Sequence, residues 1–282
     1  MLSFFCAPNE MTVFQNLRLT ITRLYYGTNP GRWKSCFSLN RLLLIFDSDE
    51  SSSFGNGGVR VQAKPGMWFW LPPFVEIEHE HTEKMLHLSI HFKLEITPGI
   101  ELPGECSGFF HGHDDSLLTR ATTCRNCNDL LPAAAQLQNI CWQVIAPVFA
   151  DPQSGVRLPS PSGLMRYTRL LEYLQTHLTK PPAVAEMAQL AGMGKELFAK
   201  NFRSDAGCSP KRFFHRLQIR QAEQRLLGTD LTVKEVAEEL GFCNEFYFSR
   251  FFKNHTGESP SQFRRRNKFE FSEHTQRDAP PA

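Results

Sequence analysis

The sequence predicts two domains: a β-rich front half, a sandwich or barrel of short strands with helices after it, and an all-α back half. Three observations carry this prediction. The formal charge of +2 over 282 residues hides an asymmetry: residues 1–163 hold 12 Lys/Arg against 15 Asp/Glu, while residues 164–268 hold 18 against 11. The hydrophobic period changes near Asp114 from alternation to a helical spacing. The basic half contains an internal repeat. An apolar content of 41% is enough for two cores.

The front half punctuates itself. Leu17–Tyr25, Arg41–Phe46 and Val59–Gln62 read as strands, and Lys64-Pro65-Gly66 reads as a turn. Met67–Leu71 is stopped by Pro72-Pro73. Val75–His81 and Met85–Leu94 then alternate apolar and polar residues. Many short strands with Pro/Gly turns favour a sandwich or barrel. The uncharged stretch Leu130–Ala150 follows. Its Leu137, Cys141, Val144 and Val148 fall at steps of 4, 3 and 4, a helix seam that serves either a dimer contact or the domain's own core. Gln136, Gln138, Asn139, Gln143, Pro132 and Pro147 interrupt it, which argues against a membrane helix. Residues 151–163, rich in Pro, Gly and Ser, read as a linker between 1–150 and 164–268, and 269–282 read as a disordered tail. Met1–Met11 shows no secretory signal, so a cytoplasmic location with eight reduced cysteines is expected.

In the back half, Val184, Glu186, Ala188 and Gly192 recur 49 positions on as Val233, Glu235, Ala237 and Gly241. One inserted residue later, Phe198, Phe202, Gly207, Ser209, Pro210 and Phe213 recur as Phe248, Phe252, Gly257, Ser259, Pro260 and Phe263. Each copy reads as a short helix, a glycine turn, and a second helix that buries an i,i+4 Phe pair. That is a helix-turn-helix, twice. Ser209–Leu227 reads as a single rod between the copies, roughly 28 Å long at 1.5 Å per residue. Two reading helices at its ends would sit about one DNA turn apart.

Residues 164–266 resemble the DNA-binding domain of the AraC/XylS family of bacterial transcription regulators. The resemblance rests on Val236-Ala237-Glu238-Glu239-Leu240-Gly241-Phe242, on Tyr247–Lys253 and on Gly257–Pro260. The first copy departs from the pattern. Ala183 and Gly194 stand where such proteins carry Ser or Thr caps, whereas Thr232 with Glu235 and Asn244 keep the caps of the second copy. The resemblance implies double-stranded DNA as partner. By position it assigns base contacts to Glu196, Ala199, Lys200, Glu245, Phe246, Ser249 and Arg250. Phosphate contacts go to Lys195, Arg203, Lys253 and the Arg264-Arg265-Arg266 run.

For the front half the resemblance implies a cupin-like β-barrel, a small effector and a homodimer. Trp33, Arg41, Trp70, His79 and His81 are the candidate pocket for a polar molecule such as a sugar. Two metal alternatives stand beside it. His79 and His81 share a strand face, as in a metal-dependent cupin enzyme, but Glu83 is spaced wrongly. His111 and His113 with Cys124 and Cys127 are candidate ligands of a zinc site. No nucleophile–base pair or phosphate-binding loop stands out, and no cofactor is expected. The remaining alternative is a constitutive DNA-binding protein whose barrel only dimerises.

Overall fold

The computed structural model describes residues 17–97 and 100–265. Arg266 and the expected tail, 269–282, lie outside the described residues.

Among the described residues, ten strands form two antiparallel sheets. The larger runs β1 (Arg18–Gly27), β8 (Leu86–Thr97), β3 (Asn40–Asp47), β6 (Met67–Leu71) and β10 (Phe110–His113), with β9 (Ile100–Glu101) added on β8. The smaller runs β2 (Gly31–Ser35), β7 (Ile77–His81), β4 (Ser53–Asn56) and β5 (Val59–Gln62). Period-two alternation sorts the side chains. Leu43, Ile45, Phe54, Phe69, Leu71, Ile77 and Met85 fill the space between the sheets. Leu42, Leu44, Trp70, Leu88, Ile90 and Phe92 point to the other side of the large sheet and join a second core. Exposed Lys34 and Arg60 with half-buried Glu78 and Glu80 tie the outer face of the small sheet with ion pairs of 2.9–3.2 Å.

The expected sheet-rich, cupin-like front domain is present, and as a barrel it is open. Closure needs strand pairs that join one sheet to the other. Among the described residues the sheets share none, so the domain is a sandwich.

Two helices cover the large sheet: α1 (Asp115–Arg125), capped by Asp114, and α2 (Leu130–Ala150), capped by Asp129. Leu137, Cys141 and Val144 are buried against the sheet, and Val148 packs on the same core. The seam read as a possible dimer contact is therefore spent inside its own domain. Among the described residues no helix is long and apolar enough to cross a membrane, and the described cysteines are free thiols.

The back half continues with α3 (Pro161–Leu164), α4 (Thr168–Thr176), α5 (Val184–Leu190), α6 (Lys195–Ala206), α7 (Pro210–Gly228), α8 (Val233–Glu239) and α9 (Glu245–Thr256). Residues 260–265 are helical again. Both copies of the repeat form helix-turn-helix units, and α7 is the rod between them.

The two domains meet over a wide seam. The Pro/Ser/Gly segment is docked rather than loose: Glu105 and Arg157 exchange backbone hydrogen bonds of 3.2 and 2.9 Å, and Ser160 N–H donates to Asp205 O at 2.8 Å. From the sandwich, Phe37 enters the core of the second unit, 5.6 Å from the Phe263 ring. The Cys36 N–H caps the end of α9 at Thr256 O, 3.0 Å away. Arg216 of the rod donates to Gly104 O at 2.9 Å and lies over the Phe74 ring.

Candidate nucleic-acid interface

Each helix-turn-helix unit is built from its repeat. The first helix presents Ala188 or Ala237, both buried, where the second helix crosses. Gly192 (φ 66°) and Gly241 (φ 74°) take left-handed conformations in the turn. The second helix buries Phe198 and Phe202, or Phe248 and Phe252, with no exposed surface. Gly207 and Gly257 end these helices in the left-handed C-terminal conformation.

Burying one stripe leaves the opposite stripe to solvent. On α6 the exposed residues include Lys195, Glu196, Leu197, Lys200 and Arg203, with Ala199 half-buried. On α9 they include Phe246, Tyr247, Arg250 and Lys253, with Glu245 and Ser249 half-buried. Six of the seven base-contact candidates thus share a face with the repeat-related positions of the other helix, Glu245 aligning with Lys195. Two further residues belong to these faces and were not assigned from the sequence: Leu197 (56% exposed) and Tyr247 (47%). They occupy equivalent positions of the repeat, and a large apolar side chain held in water at the same position twice is the signal that marks them. Phe246 is 79% exposed. An aromatic ring left this open at a helix N-terminus has no packing role and is available to base methyl groups.

The electrostatics agree. The ion pairs of the helical domain run from Arg166 to Asp205, Arg225 to Glu239 and Lys234 to Glu238. Among the described residues, no carboxylate takes Lys195, Lys200, Arg203, Arg250 or Lys253. Arg265 is exposed, but Arg264 is not available in the same way. Its guanidinium turns inward and donates to Leu226 O at 3.0 Å and to Leu231 O, tying the end of the rod to the second unit. The phosphate role read for Arg264 is corrected to this structural one.

The caps differ between the units as the sequence implies. In the second, Thr232 Oγ1 accepts from Glu235 N–H at 3.2 Å, Glu235 Oε2 accepts from Thr232 N–H at 2.6 Å, and Asn244 Oδ1 accepts from Tyr247 N–H at 2.8 Å. In the first, Glu186 accepts from Ala183 N–H at 2.9 Å, but neither Ala183 nor Gly194 has an acceptor to return.

Inside the sandwich, Trp33 stacks on His79 with ring centres 4.7 Å apart and meets His81 edge-on. Ser35 Oγ links His79 Nε2 (2.8 Å) to Arg41 (3.0 Å). Trp70 does not join them. It sits on the other face of the large sheet, donating to Asn40 Oδ1 at 2.9 Å and packing on Phe110 and Phe149. Its removal from the expected pocket follows from strand alternation, because Leu71, not Trp70, pairs in register with Arg41. Burial pushes His87 down to about 4 and holds His81 and His91 well below the usual imidazole range, with Arg41 adding to each. The zinc constellation also fails. His111 lies beside Phe69 and Phe109 on the inner side, whereas Cys124 is buried in the core on the outer side. Among the described residues, no three His, Cys, Asp or Glu side chains are placed to hold a metal ion.

A β-sandwich docked on a tandem helix-turn-helix domain defines a two-domain helix-turn-helix protein. Residues 187–266 match the family described as a helix-turn-helix domain. The transcriptional activator RhaS of Yersinia pestis is 24% identical over 179 residues, which is 58% of this chain and 62% of that one. The chain thus aligns with less than two thirds of such a relative's length. The raffinose operon regulatory protein RafR of Pediococcus pentosaceus is 25% identical over 100 residues, 36% of each chain. In fold, the crystal structure of ToxT from Vibrio cholerae superposes with a TM-score of 0.59 at 11% identity, over 89% of this chain and 98% of that one. These matches agree with the resemblance to AraC/XylS regulators carried by residues 164–266.

Proposed function

We propose that the chain is a sequence-specific DNA-binding regulator of transcription. In this reading α6 and α9 enter successive major grooves on one face of a duplex. The observation that carries it is the duplicated pair of solvent-exposed, cationic reading faces at the two ends of one rigid helix. Arg250 and Lys200 donate to base edges and Glu196 or Glu245 accepts from cytosine. Ser249 and Ala199 set the approach distance, while Phe246 meets thymine methyls. Lys195, Arg203, Lys253 and Arg265 hold phosphates. The N-terminal domain gives the protein small-molecule control, and a homodimer sets the separation of half-sites. The names of RhaS and RafR, an activator and a regulator, support regulation rather than catalysis.

Selection of bound fragments from genomic DNA by the full chain, followed by titration at several salt concentrations, tests this. Specific affinity is expected to fall steeply with salt. Arg250→Ala is expected to cost about 1–3 kcal/mol on the selected site and little on random DNA, and Lys253→Ala to weaken both alike. Equal loss for Arg250→Ala on both DNAs defeats base reading. No selection at all defeats the function.

A further inference from the structure

The repeat places different side chains at equivalent positions of the two units. Phe242, Tyr247 and Arg250 of the second stand where Met193, Leu197 and Lys200 stand in the first. In the second unit these three are layered on one another. The Arg250 guanidinium lies over the Tyr247 ring, 5.7 Å from its centre. The Tyr247 ring lies 5.9 Å from that of Phe242, which packs against Phe248 and Phe251 at 5.2 and 5.1 Å. The backbone under the ring is held as well, because Asn244 Oδ1 accepts from the N–H of Tyr247 itself at 2.8 Å. Tyr247 and Arg250 both stay exposed, so the ring restrains the guanidinium without burying it. The first unit has no counterpart. Leu197 offers no π face, and Met193 is an unbranched, flexible side chain. Lys200 ends in a point charge on a four-carbon stem, and Gly194 returns no acceptor to the helix N-terminus.

We propose that the second unit carries most of the base discrimination, with Tyr247 as the residue that positions Arg250 on a guanine, and that the first unit contributes mainly affinity. This rests on the DNA-reading role of α6 and α9 proposed above. A planar guanidinium matches guanine O6 and N7 with two donors, and one already held by a ring loses less freedom on binding. A mobile ammonium donates to any acceptor in reach and so tolerates a change of base. Lys195, Lys200 and Arg203 therefore bind the duplex through charge, which falls with salt and is shared by all sequences. Tyr247 itself touches no base in this arrangement; its effect passes through Arg250.

The test uses the full chain and the duplex it selects from genomic DNA. Each base pair of that duplex is substituted in turn, and affinity is measured on every substituted duplex and on random DNA. Arg250→Ala is expected to flatten the preference at one guanine. Replacing that guanine by 7-deazaguanine, which lacks the N7 acceptor, should weaken the native chain and leave Arg250→Ala unaffected. Tyr247→Leu is expected to lower discrimination at that guanine by roughly two- to fivefold, the scale of an exposed cation–π contact, with random-DNA affinity and Tm unchanged. Tyr247→Phe keeps the ring and is expected to keep the discrimination. Leu197→Tyr with Lys200→Arg is expected to create a guanine preference in the other half of the site, larger than Lys200→Arg alone gives. A gained preference cannot come from misfolding, so it decides the matter if Tyr247→Leu lowers Tm. The proposal is overturned by discrimination that lies mainly at the bases responding to Lys200→Ala, or by equal loss for Tyr247→Phe and Tyr247→Leu. Equal weakening of selected and random DNA by Tyr247→Leu, or no gain from the added ring at Leu197, overturns it too. Each of these results leaves the regulator standing. Absence of any selected duplex removes the regulator, and this inference with it.

Discussion

Arg220 on the rod helix is bonded to Glu101 on the N-terminal sheet, and both side chains are buried at the seam of the two domains. A second carboxylate, Glu95, lies 3.2 Å from the same guanidinium. Arg220 is therefore a buried point at which the helical domain is fastened to the sandwich by charge, beside the more exposed Arg212–Glu105 pair at 3.8 Å. A buried pair adds little over an apolar pair of the same size, but breaking one side strands a charge. Arg220→Ala is expected to destabilise the chain by about 3–5 kcal/mol, and Arg220→Met with Glu101→Gln to recover most of that loss. Urea unfolding of the two variants decides it. Equal losses would mean that the clasp contributes through packing alone.

Titration should act on this seam and on the sandwich in opposite directions. Glu223 is pushed up to about 7 by burial, against the lowering effects of its Ser38 hydrogen bonds and of Arg220 and Arg41. A carboxyl raised in this way contributes stability that is fully present below its ordinary value near 4.5 and is lost as pH rises through about 7. The loss at pH 8 is about 3 kcal/mol at ~1.4 kcal/mol per unit. His87 has the opposite sign. Its contribution is present above 6.5 and is lost as pH falls through about 4. Unfolding of Glu223→Gln from pH 5.5 to 8 should show the variant gaining on the native chain as pH rises. A parallel pair of curves would remove Glu223 from the account. His87→Gln should flatten the acid limb, below about pH 6, and leave the alkaline limb alone.

Much of the helical domain was legible because its residues repeat. The alignment of two copies places the buried Phe pairs, the turn glycines and the reading faces without any knowledge of packing. The sandwich was only partly legible. Strands with clear alternation, such as Val59–Gln62 and Met67–Leu71, stand where the pattern puts them. Gly31–Ser35 and Ser53–Asn56 gave no strand signal, since one is largely polar and the other holds Ser, Gly and Asn, and both are strands by pairing with β7. The seam was not legible at all. Phe37, Arg220 and Glu223 make contacts across 119 residues or more, and no local pattern announces a partner so distant.

The uneven caps give a prediction about dynamics. Thr232 and Asn244 each supply an acceptor to a helix N-terminus, and Ala183 and Gly194 supply none. A missing cap costs about 1 kcal/mol for Ala and less for Gly. Amides of 184–206 are expected to exchange several-fold faster than those of 233–256 in native-state hydrogen exchange. Ala183→Thr should narrow the gap. Slower exchange in the first unit would show that its packing outweighs the caps.

The two turn glycines share a conformation but not an environment. A Cβ on Gly192 meets no atom within 4 Å, so only the left-handed backbone opposes a side chain there. That opposition is worth about 1–2 kcal/mol. A Cβ on Gly241 would lie 2.1 Å from the carbonyl oxygen of Thr179, a backbone atom that cannot swing aside. Overpacking of this kind adds about 1–3 kcal/mol to the same conformational cost. Gly241→Ala is therefore expected to lower stability clearly more than Gly192→Ala, although both sit at the same place in the repeat. Thr179 lies between α4 and α5, ahead of the first helix-turn-helix unit, so its contact with Gly241 joins the approach to one unit to the turn of the other. Gly241→Ala should consequently loosen the coupling between the two reading helices as well as the second turn. In equilibrium unfolding, matched losses for the two variants would show that the Thr179 backbone yields and that this contact does not fix the spacing of the units.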